Sequence, residues 1–138
     1  MRFVDTNVLL YAVSRAEKER HKAAVAREIL RHRDLALSVQ VLQEFYVQAT
    51  RESRRDRLRH DQAVRLIESF CRYPVLDLTL PIVRAAFVTR ARRGISYWDA
   101  AILEAARASG CEAVLSEDLS DQQDYDGVRV ENPFREAG

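Results

Sequence analysis

Four acids, Asp5, Glu44, Asp99 and Asp118, are spread along the chain, all but Glu44 where one element gives way to the next. Carboxylates that gather in one crevice are oxygen donors of the kind that hard divalent cations take. Asp5 follows the short apolar start Phe3-Val4, and Asp118 follows the apolar run Ala113-Val114-Leu115. In open parallel sheets the functional crevice lies beyond the carboxyl ends of the strands, so these two acids could be neighbours in space. A lone acid at a strand end is ordinarily a turn or cap residue; two at adjacent strand ends suggest a common site. Asp99 closes Ser96-Tyr97-Trp98-Asp99, a Ser-x-x-Asp capping box in which the acid bonds back to the helix start. The same first turn, at the sheet's carboxyl edge, would also aim that acid at the crevice, and both readings stand. Glu44, at 100° per residue, falls beside the arc of Val41, Leu42, Phe45 and Tyr46, a border position that is either solvent-facing or half-buried.

Hydrophobic periodicity supplies the elements that must position these residues. A strand at Phe3-Val4 runs through Asp5-Thr6-Asn7 into a helix carrying Val8, Leu9, Tyr11 and Ala12. The spacing predicts a helix over 17–31, a strand at Leu35-Ala36-Leu37, Ser38 as an N-cap, and helices over 39–51 and 61–72. Pro74 stops the last of these, a strand is predicted over 75–78, and Thr79 with Pro81 opens a helix that Gly94 closes. A further helix runs from Ser96 to Gly110, then come the strand at Ala113-Val114-Leu115, the acidic loop Ser116-Glu117-Asp118, and a small strand over 128–130. Strands and helices alternate throughout, which argues for an α/β domain whose mainly parallel sheet is covered by helices on both faces. We expect a single domain over 1–138, without internal repeats or a dividing linker.

Composition sets the class. Hydrophobic residues make up 47% and charged residues 31% of 138 residues, the balance of a soluble globular chain. The longest apolar run, over 8–13, is far short of the ~20 residues that span a bilayer, and Asp5 interrupts the region where a signal peptide would be apolar. We therefore expect no membrane association and a cytoplasmic location. Cys71 and Cys111 show no Cys-x-x-Cys spacing, so neither a zinc site nor a disulfide framework is indicated. Net charge is +1, with residues 111–138 acidic and the basic excess upstream. Only Lys18 and Lys22 of the 22 basic residues are lysine; arginine grips phosphate with a rigid two-pronged donor set, although a coding bias toward arginine would leave the same trace.

Taken in order, Val4-Asp5-Thr6-Asn7-Val8-Leu9, Gln43-Glu44-Phe45, Tyr97-Trp98-Asp99-Ala100-Ala101-Ile102 and Leu115-Ser116-Glu117-Asp118-Leu119 resemble the acidic motifs of PIN domains over nearly the whole chain. The likeness is to the single-domain members called VapC toxins. It implies a PIN-like three-layer fold, a central mainly parallel sheet between helices, and a metal-dependent endoribonuclease hydrolysing RNA phosphodiester bonds and neutralised by a cognate antitoxin. By the same resemblance Asp5, Asp99 and Asp118 are the metal-binding aspartates and Glu44 completes the catalytic acidic set. Thr6, Asn7 and Ser116 give polar support, Mg2+ or Mn2+ is the cofactor, and the chain forms a homodimer. The last motif departs from the pattern, reading Ser116-Glu117-Asp118 where many relatives have Thr-Asn-Asp, and Asp121, Asp124 and Asp126 follow it closely. Magnesium usually takes one or two carboxylates plus waters and phosphate oxygens. A pair of ions can activate water and stabilise the leaving oxygen of an in-line displacement, leaving a 5′-phosphate and a 3′-hydroxyl.

An acidic pocket repels RNA until cations fill it, so substrate grip must come from elsewhere. Arg51, Arg54, Arg55, Arg57 and Arg59 are the first candidates and Arg90, Arg92 and Arg93 the next, though charge-dense turns are often simply solvated. Single-stranded RNA could stack on Tyr97 or Trp98, although a lone Trp is more often core. His21, His32 and His60 read as surface residues. Competing classes fit less well. A haloacid-dehalogenase-type phosphoryl-transfer enzyme wants Asp-x-Asp, and Asn7 occupies the second position; a phospho-accepting receiver domain needs a late lysine, and both lysines come early. A non-toxin PIN nuclease of RNA processing, or a catalytically silent PIN-like RNA-binding scaffold, remains the alternative.

Overall fold

The structure is a computed structural model that describes residues 1–135, so the last three residues of the expected domain lie outside it. Strands β1 (Arg2–Val4), β2 (Leu35–Ser38), β3 (Val75–Leu76), β4 (Ala113–Leu115), β5 (Asp124–Tyr125) and β6 (Val128–Glu131) form one sheet in the order β3-β2-β1-β4-β6-β5. Every neighbouring pair is parallel except β5 with β6. Helices α1 (Thr6–Val13), α2 (Arg20–Ile29), α3 (Val39–Ala49), α4 (His60–Phe70), α5 (Leu80–Arg93) and α6 (Tyr97–Ala108) flank it. This is the expected α/β architecture.

Phe3 and Val4 of the central strand β1 are fully buried, as apolar runs in parallel sheets require. Phe3 and Val4 pair in register with Val114 and Leu115 of β4, and Phe3 also with Ala36 of β2. Phe45 of α3 meets Phe70 of α4 edge-on at 5.2 Å between ring centroids. Phe45 is fully buried, and truncating it to Ala would cost about 3–5 kcal/mol.

Boundaries shift where local hydrogen bonds compete with periodicity. The helix expected over 17–31 divides into a 3-10 turn at Glu17–Glu19 and α2, because Ser14 Oγ donates to Glu19 Oε1 at 2.6 Å and bends the chain at its start. Arg27 then reaches back to the carbonyls of Ala12 and Ser14 at 2.9 and 3.1 Å, satisfying the open end of α1. The strand expected over 75–78 keeps only two residues. Helix α5 opens at Thr79 with Pro81 in its first turn and ends at Gly94, whose φ of 66° is the left-handed cap that a side chain would resist. Strand β5 was not expected: Asp126 and Gly127, at φ 54° and 97°, make the two-residue turn of a β5–β6 hairpin, and Asp-Gly is the sequence signal for it.

Candidate functional site

Three strands end at one edge, and the chain leaves each of them through a polar residue: Asp5 after β1, Ser38 ending β2, Ser116 after β4. The Asp5 N–H extends the β1–β4 ladder to the Leu115 carbonyl at 3.1 Å, and the Ser116 N–H does the same toward Glu131 at 3.0 Å. Both side chains therefore emerge at the same level of the sheet. Asp5 is the N-cap of α1, where the open N–H groups and helix dipole favour an anion. Its Oδ1 accepts from the Thr6 N–H at 2.7 Å and its Oδ2 from the Ser116 hydroxyl at 2.7 Å. Only 6% of Asp5 is exposed.

Glu44 reaches the same place from α3 and is half-buried. One carboxylate oxygen accepts from the Thr6 hydroxyl at 2.7 Å and the other from the Gln40 amide at 2.9 Å. Asn7 clamps the last acidic motif: its amide donates to Ser116 Oγ at 3.2 Å and Asp118 Oδ2 at 3.1 Å, and its carbonyl oxygen accepts from the Glu117 N–H at 3.4 Å. Asp99 sits in the first turn of α6, where the Ser96 hydroxyl accepts from the Asp99 N–H at 3.1 Å. Only this arm of the expected capping box forms among the described residues, so the carboxylate of Asp99 is left for the cavity.

Asp5, Thr6, Asn7, Glu44, Asp99 and Asp118 line a single cavity of about 90 Å³. Burial, joined by the charges of Asp118 and Glu44, pushes the Asp5 carboxyl up to about 7 against the pull of its Ser116 and Thr6 hydrogen bonds. Burial likewise raises Asp99, with the same two charges adding to it and Ser96 opposing. None of the four acids takes part in an ion pair among the described residues. Nor are any three acidic, histidine or cysteine side chains there gathered tightly enough to hold an ion unaided. Magnesium, which usually takes one or two carboxylates and fills its octahedron with water and substrate oxygens, fits such a loosely gathered set.

The acids that crowd the end of the chain separate clearly. Glu117 turns away from the cavity to accept from Lys22 at 2.8 Å and from the Tyr11 hydroxyl. Lys22 also lies 5.0 Å over the Tyr11 ring. Burial works against the Glu117 carboxylate, yet these two donors hold it below its usual range. Asp121 and Asp126 are bound by Arg135 and Arg93, and Asp124 accepts from the Gly127 N–H at 2.7 Å. Only Asp118 of this group faces the cavity.

The arginine run is not one patch. Arg54 pairs with Asp56 at 3.2 Å and lines a neighbouring cavity with Asn7, Tyr11 and Asp118. Arg51 lines a groove with Glu44 and Trp98. Arg59 pairs with Asp61 at the start of α4, while Arg55 and Arg57 are exposed. Trp98 overturns the expectation of a core residue: it is 63% exposed, because the cap at Ser96 turns the second residue of α6 outward while Ala100 and Ala101 face α5. His21, His32 and His60 are exposed, Cys71 is exposed and Cys111 buried, and both cysteines are free. Sequence reasoning missed Gln40 and Gln48, though both stand one helical turn from Glu44 and the i, i+4 spacing marks them. It also missed Lys22 and Tyr11, whose contacts with Glu117 span about a hundred residues and leave no local signal.

A PIN domain family model matches residues 2–127. Among solved structures, the chain is similar to a toxin-antitoxin complex from Klebsiella pneumoniae, with 19% identity, 96% of this chain and 98% of that one covered, and a TM-score of 0.72. It is similar to VapC20 of Mycobacterium tuberculosis, a sarcin-ricin loop cleaving toxin, with 16% identity, 86% and 92% covered, and a TM-score of 0.67. DNA-bound VapBC from Salmonella typhimurium gives 22% identity, 96% and 97% covered, and a TM-score of 0.64. At these identities the likeness is one of fold. No curated protein matches the chain significantly.

Proposed function

We propose that this chain, which belongs to the PIN-domain family, is a metal-dependent endoribonuclease and the toxin of a toxin-antitoxin pair. The observation that carries the reading is a cavity lined by Asp5, Glu44, Asp99 and Asp118 with no cationic side chain paired to any of them among the described residues. Uncompensated carboxylates in a desolvated pocket favour a cation taken from solution, and an all-oxygen donor set suits Mg2+ or Mn2+. Asp5 and Asp99 would be the principal holders, Asp118 a ligand or a support, and Glu44 a ligand or the group that orients the attacking water. A divalent cation held there would supply an activated water and neutralise charge on the leaving oxygen.

The chain's own residues preorganise that chemistry. The Thr6 N–H and Ser116 hydroxyl fix both oxygens of Asp5, the Thr6 hydroxyl and Gln40 fix both of Glu44, and Asn7 holds the turn that presents Asp118. With the substrate phosphate at the cavity mouth, the water oxygen bonds to phosphorus as the bond to the 3′ oxygen breaks. A proton passes to that departing oxygen, which leaves a 5′-phosphate and a 3′-hydroxyl. Arg51 and Arg54, in the cavities beside the acids, are the nearest phosphate grips; Arg55, Arg57 and Arg59 would act at longer range.

RNA as substrate and an antitoxin as partner are supported by the fold shared with VapC20 and with the Klebsiella and Salmonella complexes. A second copy of the chain would find an apolar face on α5, where Leu80, Phe87 and Val88 are exposed. No described helix is long and apolar enough to cross a membrane, and we place the nuclease in the cytoplasm. The purified protein should cleave RNA with added magnesium or manganese and stop with chelator, and the product of an adjacent antitoxin gene should inhibit it in a stable complex. Equal cleavage in excess EDTA would refute the metal mechanism; an adjacent product that neither binds nor inhibits would refute the toxin assignment alone.

A further inference from the structure

A groove of about 630 Å³ runs between α3 and the start of α6, lined by Gln43, Glu44, Val47, Gln48, Arg51 and Trp98. Glu44, Gln48 and Trp98 also line the acidic cavity, so the two spaces open into each other. Trp98 is braced on one side and bare on the other. Its ring meets Tyr97 edge-on at 5.1 Å between centroids, and Tyr97 rests at 5.5 Å on Phe87 of α5. Beside it Val47 is exposed, and the side chains of Gln43, Gln48 and Arg51 make no hydrogen bond or ion pair among the described residues. An exposed aromatic face, two idle amides and an idle guanidinium are thus assembled next to the carboxylates.

We propose, resting on the nuclease reading above, that this groove is a subsite for the unpaired nucleobase that flanks the scissile phosphate, stacked on Trp98. Charge decides the kind of occupant. Arg51 is the one cationic side chain in the lining, which is otherwise apolar surface and neutral amides beside Glu44, a setting that suits a neutral, flat nucleobase better than a phosphate. Gln43 and Gln48 carry both donors and acceptors, the pattern that reads base edges. Arg51 is placed to take the next phosphate of the strand. Unstacked bases seated on aromatic faces, with their edges hydrogen-bonded, are how single-stranded RNA is selected. The groove therefore makes the enzyme one for single-stranded or looped RNA, and it sets preference at the nucleotide beside the cut.

Trp98 is the only tryptophan of the chain, so its emission reports the groove without labelling. The test titrates full-length Asp5→Asn protein, intended to bind without cutting, with a short single-stranded RNA and with the same RNA made abasic at one position at a time. The expected result is quenching on binding that is lost when one particular base is missing. In the cleaving parent background, Trp98→Ala should raise KM about tenfold or more with kcat near parental, since base stacking is lost without touching the acids. Trp98→Phe should recover most of that loss. Unchanged emission at saturating RNA, or a parental KM in Trp98→Ala, overturns the subsite while cleavage by the parent leaves the nuclease reading intact. Quenching without any cleavage would do the reverse. A doubled mass whose Trp98 emission no longer responds to saturating RNA would assign the groove to a second copy and also overturn the proposal, whereas a dimer through α5 leaves the quenching by RNA in place.

Discussion

Asp5 and Asp121 are the same side chain in opposite electrostatic settings. Asp121 accepts from the Asn132 N–H at 2.9 Å and from Arg135 at 2.6 Å, and these bonds, the backbone one foremost, hold its carboxyl below the usual range. Asp5 is more deeply buried, has two hydrogen bonds of comparable length, and yet rises to about 7. The difference is burial first, then the missing cation and the presence of Asp118 and Glu44 nearby. The fold neutralises one acidic region internally, with Lys22, Arg93 and Arg135, and leaves the other to be neutralised from outside. Of Glu117, Asp118, Asp121 and Asp126, only Asp118 lacks a cationic partner among the described residues, and it is the one that lines the cavity.

The comparison predicts its largest contrast in cleavage. Asp5→Asn and Asp99→Asn should each lower the rate by about a hundredfold or more, beyond the 10–100-fold typical of residues that merely support a metal site. Asp126→Asn, which loses its Arg93 partner but keeps a residue type that tolerates its positive φ, should cleave at the parental rate with a slightly lower Tm. Magnesium should raise the Tm of the parent by mass action on the folded state and raise that of Asp5→Asn far less. Asp99→Asn should also leave the metal-free fold intact, because the Ser96 cap accepts from the Asp99 backbone N–H, which asparagine keeps. A dead Asp126→Asn, or an active Asp5→Asn, would dissolve the distinction between the two regions.

A smaller effect is expected where the regions meet. Glu117 belongs to the neutralised set, yet it lies between Ser116 and Asp118 and is anchored by Lys22 and Tyr11. Glu117→Gln weakens that anchor, so the magnesium concentration for half-maximal cleavage should rise about tenfold, the scale of outer-sphere changes, with kcat at saturating metal nearly parental. Lys22→Met should act in the same direction, and the double variant should add little to either single one, since both act on one contact. Fully additive losses would mean that Lys22 works elsewhere, for example on substrate phosphate.

The fold was largely legible because alternating apolar runs and caps are local signals: Ser38, Thr79, Pro81 and Gly94 mark their boundaries as read. Asp5 and Asp118 were legible as strand-end acids, and Glu44 as a border position on its helix. What escaped depends on pairing across the chain. No spacing rule could tell that Asp121 and Asp126 would find arginines while Asp118 would not, because Arg135 and Arg93 lie on other elements. The arginine run looked uniform in sequence, yet Arg54 and Arg59 are tied to Asp56 and Asp61, and only Arg51 and Arg54 stand beside the acids. Trp98 was misjudged because its type suggested burial; the exact start of α6 decided its direction.

The smallest predicted effect is in metal-free stability against pH. An acid whose folded pKa exceeds its unfolded value binds its proton more tightly in the fold. Asp5, raised from 3.8 to about 7, and Asp99, raised in the same direction, therefore favour the folded state most at low pH. That advantage is lost as pH rises from about 4 through about 7. Chelated protein should consequently melt lower at about pH 8 than at about pH 5, where a change of about 1 kcal/mol moves the Tm of a chain this size by roughly 4 °C. Carboxylates held low by partners, Asp121 and Asp126 among them, act the opposite way, but their contribution is complete well below this window, so it does not mask the slope. Asp5→Asn keeps an acceptor for the Thr6 N–H and removes the titration, and it should flatten the profile above about pH 5. Magnesium should flatten it as well, because a bound cation competes with the proton and keeps the carboxylates ionised. If Asp5→Asn melts with the parent's full slope, the raised carboxyl is not the source, and the electrostatic strain assigned to the cavity belongs to some other group.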